Sequence, residues 1–410
     1  MPKDNNTLVG IDIGTTKIAI TVGHVDEGLI SIIGYSRVAN AGVRKGVITD
    51  VEDTVSALTS ALEEAERIAG TPIKSAYVSI GGAHISSSIS KGVVAVTRSD
   101  GEITQSDVNR VVEAAQTVAL PPNREIVHVV PKYFIVDGQE GISDPTNMTG
   151  IRLEVEAVVV GGATNAIKNL NKCLTQVGVG IDGMVYSPLA SAQVLISKKQ
   201  KEIGVAIVDI GAGTTSMAVF ENGEILHCAV MPIGSQQITS DIAIGLRTSL
   251  EVAEKIKTQY GSAMPENISE TENINLANFD PQDAQKVERK YVCEIIHARV
   301  MEIFSMVHDE LRKIGKDGML PAGIVFTGGG SNLEDLIMLA KEELRLPAQL
   351  GIPLFEMSGL VDKIDPSIYS TSTGLILYGL ENQNITSSPN RIDSGNMINK
   401  AKDFFTQFLP

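Results

Sequence analysis

The stretches Leu8–Val22, LVGIDIGTTKIAITV, and Val205–Phe220, VAIVDIGAGTTSMAVF, state one pattern twice. In both, an apolar strand ends in Asp-Ile-Gly, passes a Gly/Thr turn and returns as an alternating strand. Gly14, Gly211 and Gly213 carry no Cβ, so the backbone can turn sharply and touch a ligand. Successive N–H groups in such a turn form an anion-binding nest. Thr15, Thr16, Thr214 and Thr215 add hydroxyl donors, and Lys17 adds a point charge suited to phosphate. Asp12 and Asp209 occupy the same place in the two copies. They would repel a bare phosphate but suit a Mg²⁺ ion held largely through water. A single copy reads equally well as an ordinary hairpin; the repetition with matching flanks favours phosphate binding. Two such hairpins, facing each other from two similar domains, would clamp a polyphosphate.

The 410 residues predict two to three domains with ample chain for a core. A hydrophobic fraction of 43% and a charged fraction of 20% are those of an ordinary globular protein. The net charge of −15 argues against sequence-independent nucleic-acid binding, which needs basic surface. Three scattered cysteines imply no disulfide framework, and no CxxC or HxxxH pair points to a zinc site. The first residues, MPKDNNTLVG, lack the apolar stretch of a signal peptide, and no run of apolar residues is long enough to span a bilayer. The expectation is a cytosolic protein of bacterial type.

Outward from the first hairpin, a third strand is expected over Leu29–Ala39, then a helix over Val51–Ala69 stopped by Gly70, then the strand SAYVSIGG. Three strands, a helix and another strand make a ribonuclease-H-like half, and the second copy begins the same way, with Asn222-Gly223 as a tight hairpin turn. Residues 86–162 have their own βαβ character, with a helix over 105–119, and form a small inserted domain. Further helices are expected over 165–178 and 189–198. Thr248–Glu251 reads as a capping box opening the helix SLEVAEKIKTQY. Residues 262–285 are polar and irregular, and a long helix follows over 283–313. The strand AGIVFT runs through Gly328, Gly329 and Gly330 straight into a helix. These glycines let a flat ligand group lie on the backbone, beside the free N–H groups of a helix start. Glu254 and Lys257 share one helix face and either contact ribose and base edges or form a solvated ion pair. With no GxxxxGK[ST] loop and no complete GxGxxG, a Walker NTPase and a dinucleotide Rossmann enzyme are poorly supported.

Together these pieces resemble the actin-like ATPase superfamily, and more closely the family of the bacterial cell-division protein FtsA. The closer resemblance rests on GVRKGVITDVEDTVSAL from Gly42, the segment 126–162, SDIAIGLRTSLEVAEKIKTQYG from Ser240, and TSTGLILYG from Thr371. It implies an α/β, actin-like fold: two ribonuclease-H-like domains around a nucleotide cleft, with an FtsA-type inserted subdomain in the first. The implied division gives 1–85, 163–200 and 368–385 to the first domain and 86–162 to the insert. The second domain takes 201–245 and 315–367, with 246–314 as its outer subdomain. The resemblance also implies ATP and Mg²⁺ as ligands. The phosphate segments are DIGTTK and DIGAGTTS, which includes Ala212; Gly234 lies in a further loop, followed by Ser235 where a second glycine is common. TGGGSNLEDL, with Asn332, and AEKIK are the adenosine contacts. Implied partners are FtsZ, through its C-terminal tail, and further copies of the chain in an actin-like filament. Arg289 either pairs with a carboxylate of that tail or is a solvated helix charge. Ser187 stands before Pro188 where hydrolytic members of the superfamily place Glu or Gln, so weak hydrolysis is expected.

Residues 386–396, TSSPNRIDSGN, read as a flexible linker. Beyond it, Met397, Ala401, Phe404, Phe405 and Phe408 fall at helical spacing, widened by Ile398 and Leu409, with Lys400, Lys402 and Asp403 off the stripe. This is the pattern of an interfacial amphipathic helix. Three buried Phe gain about 5–9 kcal/mol gross, and ordering the backbone consumes about 1–2 kcal/mol per residue. Single tails therefore bind lipid weakly, and stable attachment needs many tails on one filament; the resemblance implies that this happens on the cytoplasmic face of the membrane, at the division site. A tail docked on the protein's own body is the competing reading. Two other functions share the superfamily: a small-molecule kinase, for which no general-base Asp stands out, and a pilus-assembly scaffold, which should lack the terminal helix.

Overall fold

The structure is a computed structural model that describes residues 6–26, 28–118, 121–281 and 285–386. The expected linker beyond Thr386 and the whole amphipathic segment 397–410 lie outside these residues. Strands β1 (Thr7–Ile13), β2 (Lys17–Asp26) and β3 (Leu29–Ala39) form an antiparallel meander. The short strands β4 (Val43–Arg44) and β5 (Val47–Ile48) pair around Lys45-Gly46. Helix α1 (Val51–Ala69) starts where the Asp50 side chain accepts from Asp53 N–H. It ends at Gly70, whose φ of 69° puts it in the left-handed region. Strand β6 (Ser75–Ile80) then lies parallel to β1.

The insert follows as β7 (Ser86–Ala95), α2 (Gln105–Val118), β8 (Arg124–Val136), β9 (Gln139–Ile142) and β10 (Arg152–Ala163), in the sheet order β7-β10-β8-β9. Its βαβ character is of the split kind. Strand β10 is antiparallel to both β7 and β8, so these two run the same way with α2 between them in sequence. The chain returns through α3 (Thr164–Gln176) to β11 (Gly180–Tyr186), parallel to β6. Helices α4 (Ser187–Leu195) and α5 (Lys198–Ile203) replace the single helix expected over 189–198. Ile196 is extended, and Ser197 opens a new capping box with Gln200.

The second lobe repeats the plan with β12 (Val205–Ile210), β13 (Thr215–Glu221) and β14 (Glu224–Met231). Asn222 and Gly223 both have positive φ, as the tight hairpin requires. Helix α6 (Ser235–Leu246) was not expected from the sequence. Helix α7 (Leu250–Tyr260) is capped by Ser249, which accepts from Val252 N–H; the cap thus sits one residue later than the expected Thr248 box. Within 262–285, β15 (Asn273–Asn275) is ordered against β16 (Lys286–Glu288). That pairing delays helix α8, which covers Arg289–Lys313 rather than beginning near 283. Strand β17 (Ile324–Thr327), helix α9 (Leu336–Leu344), β18 (Ala348–Leu350), β19 (Met357–Gly359) and helix α10 (Pro366–Thr386) complete the described chain.

Setting aside β19, the two large sheets have one strand order, β3-β2-β1-β6-β11 and β14-β13-β12-β17-β18. Each is an antiparallel meander extended by two parallel strands, the ribonuclease-H-like arrangement. Strand β19 adds to β3 through the pair Met357↔Ile30, so these residues join the first sheet although the expected boundary put them in the second domain. Strand β12 is buried on both faces. Val205 and Ile207 pack into the core shared with the first lobe, Ala206 and Val208 into the core of the second. Its continuous apolar run, VAIV, follows from that double burial.

Helices α4 and α10 cross at the junction of the lobes. A Cβ on Gly374 would lie 1.8 Å from Ala190 O, and one on Gly10 would lie 1.9 Å from Ser372 O. The packing of α10 against both α4 and β1 thus depends on missing side chains. Gly374→Ala should destabilise the protein by about 1–3 kcal/mol or more, because overpacking a tight crossing forces backbone shifts. Gly180→Ala, whose new Cβ would meet nothing nearer than 3.5 Å, should stay within about 0.5 kcal/mol of the parent. Urea unfolding midpoints of the two variants measure the contrast.

Candidate functional site

The two Asp-Ile-Gly turns close in the same way. Gly14 N–H donates to Lys17 O at 2.9 Å, and Gly211 N–H donates to Thr214 O at 2.9 Å. The turns meet at the floor of the cleft between the lobes, where a Cβ on Gly213 would lie 2.7 Å from Thr15 Oγ1 and 3.0 Å from Lys45 Cα. Thr15 Oγ1 also accepts from Gly46 N–H at 3.1 Å, which ties the first turn to the β4–β5 ribbon. A cavity of about 980 Å³ opens here. Gly14, Thr15, Thr16 and Lys17 line it from one lobe, Gly211, Ala212, Gly213 and Thr214 from the other.

Two expected residues support the turn from behind instead. Thr215 is fully buried and donates its hydroxyl to Ile233 O at 2.9 Å. Gly234 packs so closely that a Cβ would lie 2.5 Å from Gly211 O and 2.6 Å from Ala212 O. Its neighbour Ser235 lines the cavity. The turn is braced further by Ser235 N–H donating to Gly211 O and Gln236 N–H to Ala212 O, at 2.9 and 2.8 Å.

Both aspartates line the cavity. Asp12 Oδ1 accepts from Ser79 Oγ at 2.7 Å, and its Oδ2 lies 3.7 Å from Lys17 Nζ. Lys17 also donates to Ile368 O at the start of α10. Burial is the largest influence on Lys17 and lowers its pKa, while the charges of Asp12 and then Asp209 oppose that drop. Burial first, then the Asp12 charge, pushes Asp209 up to about 6, against the pull of Lys17.

The three glycines after β17 divide their tasks. Gly328 has φ 84°, and a Cβ there would lie 2.1 Å from Asp209 Oδ1. A Cβ on Gly330 would lie 2.6 Å from Ile210 Cγ2, whereas one on Gly329 would meet no protein atom within 4 Å. All three line the cavity. The chain does not pass straight into a helix. Gly329–Asn332 make a 3-10 turn, and α9 begins only at Leu336, after Asp335 in the left-handed region. The N–H groups of α9 are therefore not the ones that flank the glycines. Asn332 lines the cavity and donates to Ser367 Oγ at 2.7 Å.

Glu254 and Lys257 are an ion pair at 2.7 Å on the cavity wall. Lys257 also donates to Thr239 Oγ1 at 2.8 Å, and the Thr239 hydroxyl donates to Glu254. The Glu254 side chain stays 50% exposed. Arg289 does not itself line the cavity but bonds to Glu334, which does. Its Nε donates to Tyr260 O at 2.8 Å, and its two terminal nitrogens donate to Glu272 at 2.9 Å and Glu334 at 2.7 Å. The guanidinium expected to meet a partner's carboxylate, or to stand in solvent, is thus engaged by two carboxylates of its own chain.

The family profile "Cell division protein FtsA" matches residues 206–374, and the profile "SHS2 domain inserted in FTSA" matches residues 82–161. The chain is 40% identical to the cell division protein FtsA of Pseudomonas aeruginosa over 377 residues, which cover 92% of this chain and 90% of that one. The chain belongs to the FtsA family. Its identity to the Bacillus subtilis FtsA is 38%, over 93% of this chain and 85% of that relative. Solved structures of the same fold include the PilM-PilN type IV pilus biogenesis complex, with TM-score 0.68 at 14% identity, covering 91% of this chain and 98% of that chain. They also include MreB5 of Spiroplasma citri bound to ADP, with TM-score 0.57 at 12% identity, covering 94% and 100%. The actin-like fold with an FtsA-type insert, implied above by resemblance, is thereby established.

Some cavity residues of this FtsA-family chain escaped the sequence reading. Arg37 and Ala39 come from the end of β3, and Ser367, Ile368 and Thr371 from the start of α10. The β3 alternation gives Arg37 an outward face, but nothing local says that this face borders the cleft.

Because Asp209 keeps its proton to about pH 6 when folded and releases it near 3.8 when unfolded, its ionisation favours unfolding progressively from about pH 4 to 6. Asp209→Asn should therefore raise the unfolding free energy of the nucleotide-free protein at pH 7.5 by roughly 1–3 kcal/mol. The gain should vanish below about pH 4. Urea titrations at the two pH values read the difference.

Proposed function

We propose that the cleft binds ATP as its magnesium chelate, and that the bound nucleotide governs assembly of this FtsA-family chain into filaments that hold FtsZ at the membrane. The observation that carries the reading is the facing pair of like turns, one per lobe, each closed by the same glycine N–H bond, across a cavity of about 980 Å³. Backbone N–H groups, threonine hydroxyls and Lys17 supply the donors for a phosphate chain. Gly329 leaves open space where a flat base or ribose can lie, and the Glu254–Lys257 pair borders it.

Asp12 and Asp209 fit a hydrated cation. Two carboxylates with raised mutual repulsion gain from a divalent charge between them, and burial makes that gain larger. Among the described residues no group of three or more His, Cys, Asp or Glu is placed to hold a metal ion, so the remaining ligands would be water and phosphate oxygen. When bound, the ion offsets charge on the phosphates. Ser187 lines the cavity and donates to Ile80 O at 3.2 Å. A short hydroxyl already engaged in this way is a weak means of orienting water, which supports slow turnover with the nucleotide as a conformational ligand.

Family membership supports the cell-division role. Among the described residues no helix is long and apolar enough to cross a membrane. The lipid contact is assigned to the stripe Ile398, Ala401, Phe404, Phe405, Phe408 and Leu409, at the cytoplasmic face of the division site, and each single tail binds weakly.

Calorimetry with ATP and magnesium tests the cleft. Gly329→Val places a side chain in the free space and should weaken ATP at least ~10-fold, about 1.4 kcal/mol, while leaving the nucleotide-free melting midpoint unchanged. A parent protein that takes up no ATP would sink the reading. Deleting residues 397–410 should abolish pelleting with anionic liposomes and spare nucleotide binding; unchanged pelleting would remove the tail from the account.

A further inference from the structure

Arg289 stands at the first position of α8, yet it reaches both walls on one side of the cavity. Its Nε holds Tyr260 O, the last carbonyl residue of α7, the helix that carries Glu254 and Lys257. One terminal nitrogen holds Glu334, which lines the cavity two residues beyond Asn332. The other holds Glu272 beside the β15–β16 ribbon, whose outer end closes with Arg289 N–H donating to Glu272 O at 2.9 Å. The loop that carries Glu334, residues 328–335, is fastened to residues 262–267 by three further bonds. Ala263 N–H donates to Glu334 O at 2.8 Å, and Ser262 Oγ and Asn267 Nδ2 donate to Asp335 Oδ2 at 2.7 and 3.2 Å. The Arg289 side chain is 18% exposed, so its fork is better shielded from solvent than its two carboxylate partners, which are 45% and 61% exposed.

We propose that Arg289 is a positioning residue of the nucleotide site: its guanidinium fixes the Gly328–Asp335 loop against the end of α7, so that occupancy of the cavity and the order of the outer subdomain are linked. The inference rests on the proposed nucleotide reading of the cleft. The three hydrogen bonds go to three separate segments, so a lysine, with its single ammonium on a flexible stem, cannot reproduce them. Loop and helix then lose their fixed separation, and the ligand must order them as it binds. Linkage makes the effect reciprocal. Nucleotide that orders the loop also orders residues 262–275 and β16, and a partner bound there changes nucleotide affinity by the same factor.

The test uses the full chain with magnesium and ATP. Arg289→Ala should weaken ATP five- to twentyfold, and Arg289→Lys should weaken it by an intermediate factor. Lys290→Ala, which removes only the neighbouring surface pair with Glu270, should leave affinity unchanged. The double variant Arg289→Ala, Glu334→Gln should be no worse than the weaker single variant, because both remove one device. Hydrogen exchange without nucleotide should speed up in 328–336 of Arg289→Ala while amides of the β12–β13 core stay protected, which separates a local device from general instability. Parent-like ATP affinity in Arg289→Ala, or fully additive losses in the double variant, would overturn the inference and leave the cleft reading standing. Failure of the parent itself to bind ATP would overturn both, and shows in a different sample.

Discussion

The whole architecture depends on two turns touching at the bottom of one cleft. Gly213 comes so near Thr15 that no side chain fits between the lobes there, and each turn is closed by its own glycine N–H bond. This contact sets the distance between the facing walls and brings two acidic side chains into one electrostatic neighbourhood. Burial first, and the neighbouring Asp12 charge second, make ionisation of Asp209 unfavourable, and the same pair suits the place to a metal-chelated anion. A fold built only for stability would not keep two carboxylates and a buried lysine around an open volume.

Around the contact, helices α4 and α10 hold the lobes together through a shared apolar core, and the insert packs against β14 of the second lobe. Ser87 of β7 donates its hydroxyl to Cys228 O on the edge strand β14. Tyr186, at the end of β11, sends its hydroxyl across to Ala229 O at 2.8 Å, while its N–H donates to His128 of the insert at 2.9 Å. First lobe, insert and second lobe therefore meet at one buried tyrosine, immediately before the cavity residue Ser187.

Legibility in the sequence followed the range of the interactions. The hairpins, α1 with its Asp50 and Gly70 caps, and the Asn222-Gly223 turn are decided within a few residues, and the sequence shows them. The twelve-residue helix α6 and the helix α10 are different. Residues 369–373 of α10 are buried on every side, and several are Ser or Thr, so the helix has no polar face and no stripe to detect. The start of α8 was misplaced because residues 286–288 answer to a strand at 273–275, not to their own propensity. In the site, the residues of both turns were legible because their chemistry is local. Arg37, Ser367 and Ile368 were not, since only tertiary packing brings β3 and α10 to the cleft. The bonds of Arg289 within its own chain were hidden for the same reason: its carboxylate partners lie 17 and 45 residues away in sequence.

The route of the chain has one more consequence. The first lobe opens at β1 but borrows β19 and α10, the final described elements, for its sheet edge and its buried helix. During synthesis that lobe leaves the ribosome early and must wait, its apolar β1 face uncovered, until the entire second lobe has emerged. The second sheet, by contrast, is complete once β18 is made. A nascent chain interrupted before residue 366 would therefore carry two sheets without the helix that fills their shared core, a natural substrate for chaperones.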